Sequence, residues 1–157
     1  MRNTSLIYLE NRGRYLMLHR VKKENDENKD KWIGVGGKFE EGESPQDCAV
    51  RETREETGLC LSPSELAYRG LVTFVSDEWG TELMHLFTCS VADSRLADLT
   101  GKENDEGMLE WVPIEEVTNL PIWEGDRIFL KLLAENAPFF SLKLIYRGDE
   151  LAGHILY

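Results

Sequence analysis

The segment GKFEEGESPQDCAVRETREETGL, residues 37–59, decides how this chain is read. Ser44 stands where an N-cap belongs, Pro45 takes the first helical position, and Asp47 follows three residues after the cap. Together they form a capping-box start. Gly58 supplies a left-handed stop. The spacing predicts a helix over 45–57. On it Glu52, Glu55 and Glu56 fall at i, i+3 and i+4, which puts three carboxylates on one side. They crowd the C-terminal end, where the helix dipole is already negative, so something positive should bind there. Arg51 and Arg54 offset part of that charge. All-oxygen ligands of this kind suit a hard cation such as Mg2+ or Mn2+. An E-x-x-E-E helix met alone, however, is more often a solvated face laced with Arg–Glu pairs.

Upstream of this segment, residues 5–9 and 14–20 read as strands joined by the turn Asn11-Arg12-Gly13. Residues 22–31 hold only Lys, Glu, Asp and Asn, and are expected to form a solvated, mobile loop. Its Asp26-x-Asn28-x-Asp30 spacing imitates a calcium loop, but Lys31 and Gly37 stand where glycine and glutamate would be required. Residues 32–37 are short, apolar and glycine-rich. Downstream, 66–75 and 82–92 read as strands about a polar turn at 76–81. An acidic loop at 101–107 precedes a short strand at 110–112 and a helical turn at 114–117. Ile128, Phe129, Leu132 and Leu133 give 126–135 a helical period. Residues 140–146 and 151–157 flank Gly148-Asp149, a hairpin signal. Strands dominate and two helices interrupt them, so the class is α+β.

A chain of 157 residues reads as one domain, 1–157, able to bury a core without staples. Its 18 basic and 29 acidic residues leave a net charge of −11, which repels nucleic-acid backbones and excludes a polymer-coating role. An anionic substrate would need a cation to bring it in. Cys48, Cys60 and Cys89 are odd in number and far apart, which fits reduced thiols in the cytoplasm. His19, His85 and His154 make no zinc signature. No signal peptide is visible, and no apolar run approaches the roughly 18 residues of a membrane span.

From Gly37 the chain matches the pattern G-x5-E-x7-R-E-U-x-E-E-x-G-U, U being a bulky apolar residue, at Gly37, Glu43, Arg51, Glu52, Glu55, Glu56 and Gly58. Seven fixed positions, each filled at random at about 6–7%, do not align by accident. This resembles the box of a Nudix hydrolase. Thr53 departs, standing where the family prefers a bulky aliphatic residue. The resemblance implies a mixed β-sheet flanked by helices, an α/β/α sandwich. It implies Arg51, Glu52, Glu55 and Glu56 as catalytic residues. It further implies Mg2+, or Mn2+, held by Gly36 and the three glutamates, while water attacks a phosphorus of a nucleoside diphosphate linked to a variable group. Glycines at 36 and 37 would let the backbone approach metal and phosphate closely. This is not a P-loop, since Phe39 follows Lys38.

Outside the box the chain is similar to the MutT-homologue group of purine nucleoside triphosphate diphosphatases. Residues 32–38, WIGVGGK, resemble that group's W-N-G-F-G-G-K. Asp105-Glu106 ahead of Trp111 resembles its acidic pair, which makes Glu106 a fourth metal carboxylate. Residues 122–126, IWEGD, resemble its M-W-P-D-D, which implies that Trp123 stacks on a purine and Asp126 hydrogen-bonds it. Ile33 and Gly125 replace an asparagine and an aspartate, removing two polar base contacts. Substrate contacts are thus expected from Arg20, Ile33, Gly37, Lys38, Trp123 and Asp126. For Arg20, which ends a strand, a plain surface role is an equal alternative.

The implied reaction is Mg2+-dependent hydrolysis of a nucleoside triphosphate to monophosphate and pyrophosphate, with oxidised purines such as 8-oxo-dGTP as candidates. The expected partner is a nucleotide, with no nucleic-acid polymer and no membrane; monomer or homodimer stays open. Two other readings stand beside it. One is a Nudix pyrophosphatase for ADP-ribose or a dinucleotide polyphosphate. The other is a non-catalytic binding module, which ranks last because every box glutamate is kept.

Overall fold

The computed structural model describes residues 1–99 and 103–157. Its strands are β1 (Arg2–Asn11), β2 (Arg14–Arg20), β3 (Trp32–Ile33), β4 (Val35–Lys38), β5 (Ala67–Ser76), β6 (Gly80–Ser90), β7 (Gly107–Pro113), β8 (Phe140–Arg147) and β9 (Glu150–Leu156). Among the described residues, two α-helices, α1 (Pro45–Thr57) and α2 (Asp126–Ala134), and three short 3-10 turns accompany them. The sheet runs β3-β2-β1-β6-β5-β8-β9, with β4 also on β1 and β7 also on β2. Pairs β1–β6 and β5–β8 are parallel and the others antiparallel, so the sheet is mixed.

Alternation along β1 explains the layering. Leu6 and Tyr8 join Phe129, Leu130 and Leu133 of α2 in one core. Ile7 and Leu9 point the other way, into a second core with Ala49 of α1, Leu59 and Leu61. A central strand buried on both faces needs apolar residues at successive positions, and β1 has them from Leu6 to Leu9. The result is the expected sandwich of helices around a mixed sheet.

Helix α1 has the predicted bounds because its ends are fixed locally. The Ser44 side chain accepts from the Asp47 amide, the Asp47 carboxylate accepts from the Ser44 amide, and Gly58 ends the helix at φ 82°. Thr53 lies fully buried, and its hydroxyl donates to the Ala49 carbonyl at 2.7 Å. The departure from the box is thus accommodated: the methyl packs, and the hydroxyl is satisfied within the helix. The acidic loop expected at 101–107 is described only from Glu103, and its last residue, Gly107, already belongs to β7.

One expectation is corrected. Residues 22–31 form neither helix nor strand, yet they are not an unanchored loop. Asp26 binds Arg20 at 2.8 Å, Asn28 accepts the Trp123 indole N–H at 2.8 Å, and Glu27 pairs with Arg2 at 3.2 Å. The Asp30 amide donates to the Arg20 carbonyl at 2.7 Å. Polar anchors hold what apolar ones do not, so the segment is a strap. In hydrogen exchange the amides of Lys29, Asp30 and Lys31, all bonded, should exchange more slowly than those of Lys23 and Glu24. Uniformly fast exchange across 22–31 would show that the anchors fail to hold.

Candidate active site

The strap roofs a cleft of about 600 Å³. Arg20, Ile33, Gly36, Gly37, Lys38, Arg51, Glu52, Glu106, Trp123 and Asp126 all line it. Glu55 and Glu56 do not. Glu55 turns outward, half exposed, and takes an Arg51 N–H at 3.2 Å. Glu56 turns inward and is buried, with one oxygen accepting from the Gly36 amide at 3.1 Å. The three glutamates therefore do not converge on one point as their helical spacing suggested.

Arg51 organises this end of the cleft. Its guanidinium reaches Glu43 at 2.5 Å, Glu52 at 2.8 Å and the Lys38 carbonyl at 3.0 Å. Those carboxylates raise the arginine's pKa, and in return Arg51 holds the Glu43 carboxyl low. Glu52 moves the other way: burial pushes its pKa up against the pull of Arg51. Glu106, across the cleft, sits on Arg20 at 2.9 Å.

Glu56 is the anomaly. Burial pushes its pKa well up, and the nearby charges of Glu106 and Glu52 push it further. Its Oε1 is buried and meets no N–H donor among the described residues, while the Glu106 carboxyl lies within hydrogen-bond reach of the Glu56 carboxyl. A buried carboxylate oxygen without an N–H donor, among two further carboxylates, is a poor arrangement for stability and a good one for receiving a cation. The backbone leaves room for it. A Cβ on Gly37 would lie 2.4 Å from a Glu52 oxygen, and one on Gly36 would lie 2.0 Å from the Ser5 carbonyl oxygen across the sheet. Glycine is needed at 36, where the clash is with backbone, while a side chain at 37 would displace the Glu52 carboxylate. Among the described residues, no three acidic, histidine or cysteine side chains form a ready-made metal cage; Arg51 pairs with Glu52 and Glu55, and Arg20 with Glu106.

The NUDIX domain matches residues 1–133. The chain belongs to the Nudix hydrolase family. It is 40% identical to an uncharacterized Nudix hydrolase, YvcI, of Bacillus subtilis over 98 residues, 60% of this chain and 59% of that protein's length. It is 27% identical to an oxidized purine nucleoside triphosphate hydrolase of Danio rerio over 128 residues, 80% of this chain and 77% of that one. A crystal structure of a MutT protein from Bacillus halodurans shares the fold, with a TM-score of 0.83 at 24% identity over 99% of this chain and 97% of that one.

The second half of this Nudix cleft departs from what the sequence suggested. Trp123 is only 4% exposed. Phe74 and Tyr146 meet its ring edge-on, and the Lys31 ammonium lies 4.3 Å from its centroid. A base can stack on that face only after Lys31 moves. Arg20 is no free surface arginine either, being bridged between Asp26 and Glu106. An aspartate at position 125 would force its neighbours to shift, since a Cβ there would meet the Leu144 side chain at 2.5 Å and the Tyr146 hydroxyl at 2.7 Å.

Asp126 is buried at the start of α2, and burial, followed by the charge of Glu82, lifts its pKa to about 8. Between its ordinary value near 4 and about 8, the folded protein keeps a proton that the unfolded chain has lost. Asp126 therefore makes stability fall as pH rises through that window. Asp126→Asn should raise the melting temperature at pH 8–9 and change it little at pH 5. An equal shift at both values would contradict the buried, protonated carboxyl.

Motif reading missed Arg2, Thr4, Phe74, Glu82 and Met84, which also line the cleft. They come from β1, β5 and β6, whose alternation was the only available signal.

Proposed function

We propose that this Nudix hydrolase is a Mg2+-dependent nucleoside triphosphate diphosphatase, releasing monophosphate and pyrophosphate, with purine nucleotides, oxidised ones included, as substrates. The observation that carries it is the buried Glu56 carboxyl, whose Oε1 meets no N–H donor among the described residues, set against Glu52 and Glu106 beside a nucleotide-sized cleft. Glu52, Glu56 and Glu106, with the Gly36 backbone, are the groups that would hold Mg2+. Bound there, the ion would offset the substrate's charge and polarise the phosphate. Arg51 keeps Glu52 and Glu43 in place. Lys38 at the cleft adds a positive charge for the polyphosphate. Trp123 and Asp126 line the part of the cleft where the base would sit. The curated name of the Danio rerio relative supports this substrate class.

Ile33 and the filled space at Gly125 favour a second reading, hydrolysis of another nucleoside diphosphate derivative such as ADP-ribose or a dinucleotide polyphosphate. One assay separates the two. The protein is incubated with Mg2+ and a panel of nucleoside triphosphates, 8-oxo-dGTP, ADP-ribose and a dinucleotide tetraphosphate, and pyrophosphate, phosphate and AMP are quantified. Pyrophosphate with monophosphate from the triphosphates is expected. AMP from ADP-ribose, without turnover of triphosphates, would replace the first reading with the second.

A further inference from the structure

The positions that the motifs emphasise leave the base pocket short of polar groups. Ile33 is apolar, and Gly125 carries no side chain and packs against Leu144 and Tyr146. The central strands make up the deficit. In the parallel β1–β6 register Arg2 stands opposite Glu82 and Thr4 opposite Met84, while in the β5–β6 register Phe74 stands opposite Glu82. All five residues line the cleft. The Glu82 carboxylate is 14% exposed. One oxygen accepts the Thr4 hydroxyl at 3.2 Å and the other meets the Arg2 guanidinium at 3.3 Å. A carboxylate has about four acceptor sites, so each oxygen retains capacity after these contacts. The two partners also immobilise the side chain, so it can serve as a fixed template and not as a mobile surface acid.

Resting on the reading of this cleft as a purine nucleotide site, we propose that Glu82 is a specificity-determining residue that reads the base by accepting from two adjacent N–H donors. A guanine-type edge offers such a pair, N1–H beside the 2-amino group, matched to two carboxylate oxygens. An adenine-type edge sets its N1 acceptor beside the 6-amino group and so turns a lone pair towards one of the oxygens. Hypoxanthine keeps N1–H but lacks the second donor. Oxidation at C8 lies on the other side of the ring and leaves the guanine edge intact. Glu82 therefore selects the ring type irrespective of that lesion. Asp126, which shares the cleft and feels the Glu82 charge, can donate to the neighbouring keto oxygen when it carries its proton. Apolar pockets discriminate weakly between such rings, whereas a site that hydrogen-bonds its substrate penalises one lacking a partner.

The test is kcat/KM for dGTP, 8-oxo-dGTP, dITP and dATP, with Mg2+, in wild type, Glu82→Gln and Glu82→Asp. Wild type should favour dGTP over dITP and dATP by about tenfold or more, the scale of one two-point base contact. Glu82→Gln, which presents one acceptor and one donor, should lose most of that preference, with KM for dGTP rising more than kcat falls. Glu82→Asp keeps the charge and should recover part of it. Equal rates on dGTP and dITP in wild type overturn the inference without any variant. So does a Glu82→Gln enzyme that slows on every substrate by one factor, which marks a structural role. If wild type turns over none of the triphosphates, the functional reading itself falls, and this inference falls with it.

Discussion

Glu56→Gln is expected to lower kcat by about 10²–10³, the scale for removing one preorganised charge-stabilising group, and at the same time to stabilise the metal-free protein. The opposed signs come from one observation. Glu56 is buried, its Oε1 meets no N–H donor among the described residues, and Glu106 and Glu52 repel its charge. The amide is nearly isosteric and its carbonyl oxygen can still accept the Gly36 N–H. What disappears is a charge that the apo fold accommodates poorly. Because the folded pKa of Glu56 lies above its ordinary value, its contribution to stability is present at low pH and is lost as pH rises through the folded value. The gain in Glu56→Gln should therefore be small near pH 4 and grow towards neutrality. Steady-state kinetics and calorimetry in chelator measure both effects. Full activity in the variant would remove the carboxylate cluster from the mechanism. A lower melting temperature in chelator would show that the carboxylate stabilises the fold.

Metal dependence is the second large effect. Excess EDTA should abolish hydrolysis, and Mg2+ should raise the melting temperature, since a cation binds the folded cluster and not the unfolded chain. At about 100 times its Kd a ligand adds ~2.7 kcal/mol, which for a domain of this size is about 5–10 °C. The gain should shrink in Glu52→Gln, which keeps the side chain's shape but removes one charge from the cleft. It should also increase with pH, as Glu56 and Glu52 give up protons that the apo fold holds too tightly. A calorimetric trace indifferent to Mg2+ would argue against the cluster as a metal site, whatever the enzyme hydrolyses.

The two halves of the site were not equally legible. Around α1 the motif positions fell within reach of one another: Gly36, Gly37, Arg51 and Glu52 all line the cleft, and Glu56 backs it through the Gly36 amide. Around the base they misled in part. Trp123 has the right residue type, yet Lys31 and Asn28 of the strap occupy its face and its N–H. The strap looked like a solvated loop because it carries no apolar residue. Its order comes from partners far along the chain, Arg2 and Trp123 among them.

Residues 44–58 determined their own helix, because each signal acts over a few residues: Ser44 and Asp47 exchange hydrogen bonds, Pro45 presets a dihedral angle, and Gly58 takes a left-handed turn. The alternating apolar pattern likewise determined which residues of β1 face each helix. Only the tertiary structure decided that Glu56 is held inward by the Gly36 amide, whereas Glu55 pairs with Arg51 one turn back on the same helix. It also decided that Arg2, Thr4 and Glu82 meet, since strands some eighty residues apart come together only through the parallel register of β1 on β6. The space beside Gly125 was settled in the same way, filled by Leu144 and Tyr146 from β8. A motif records neighbours in sequence, whereas register and packing bring together residues that no local pattern connects.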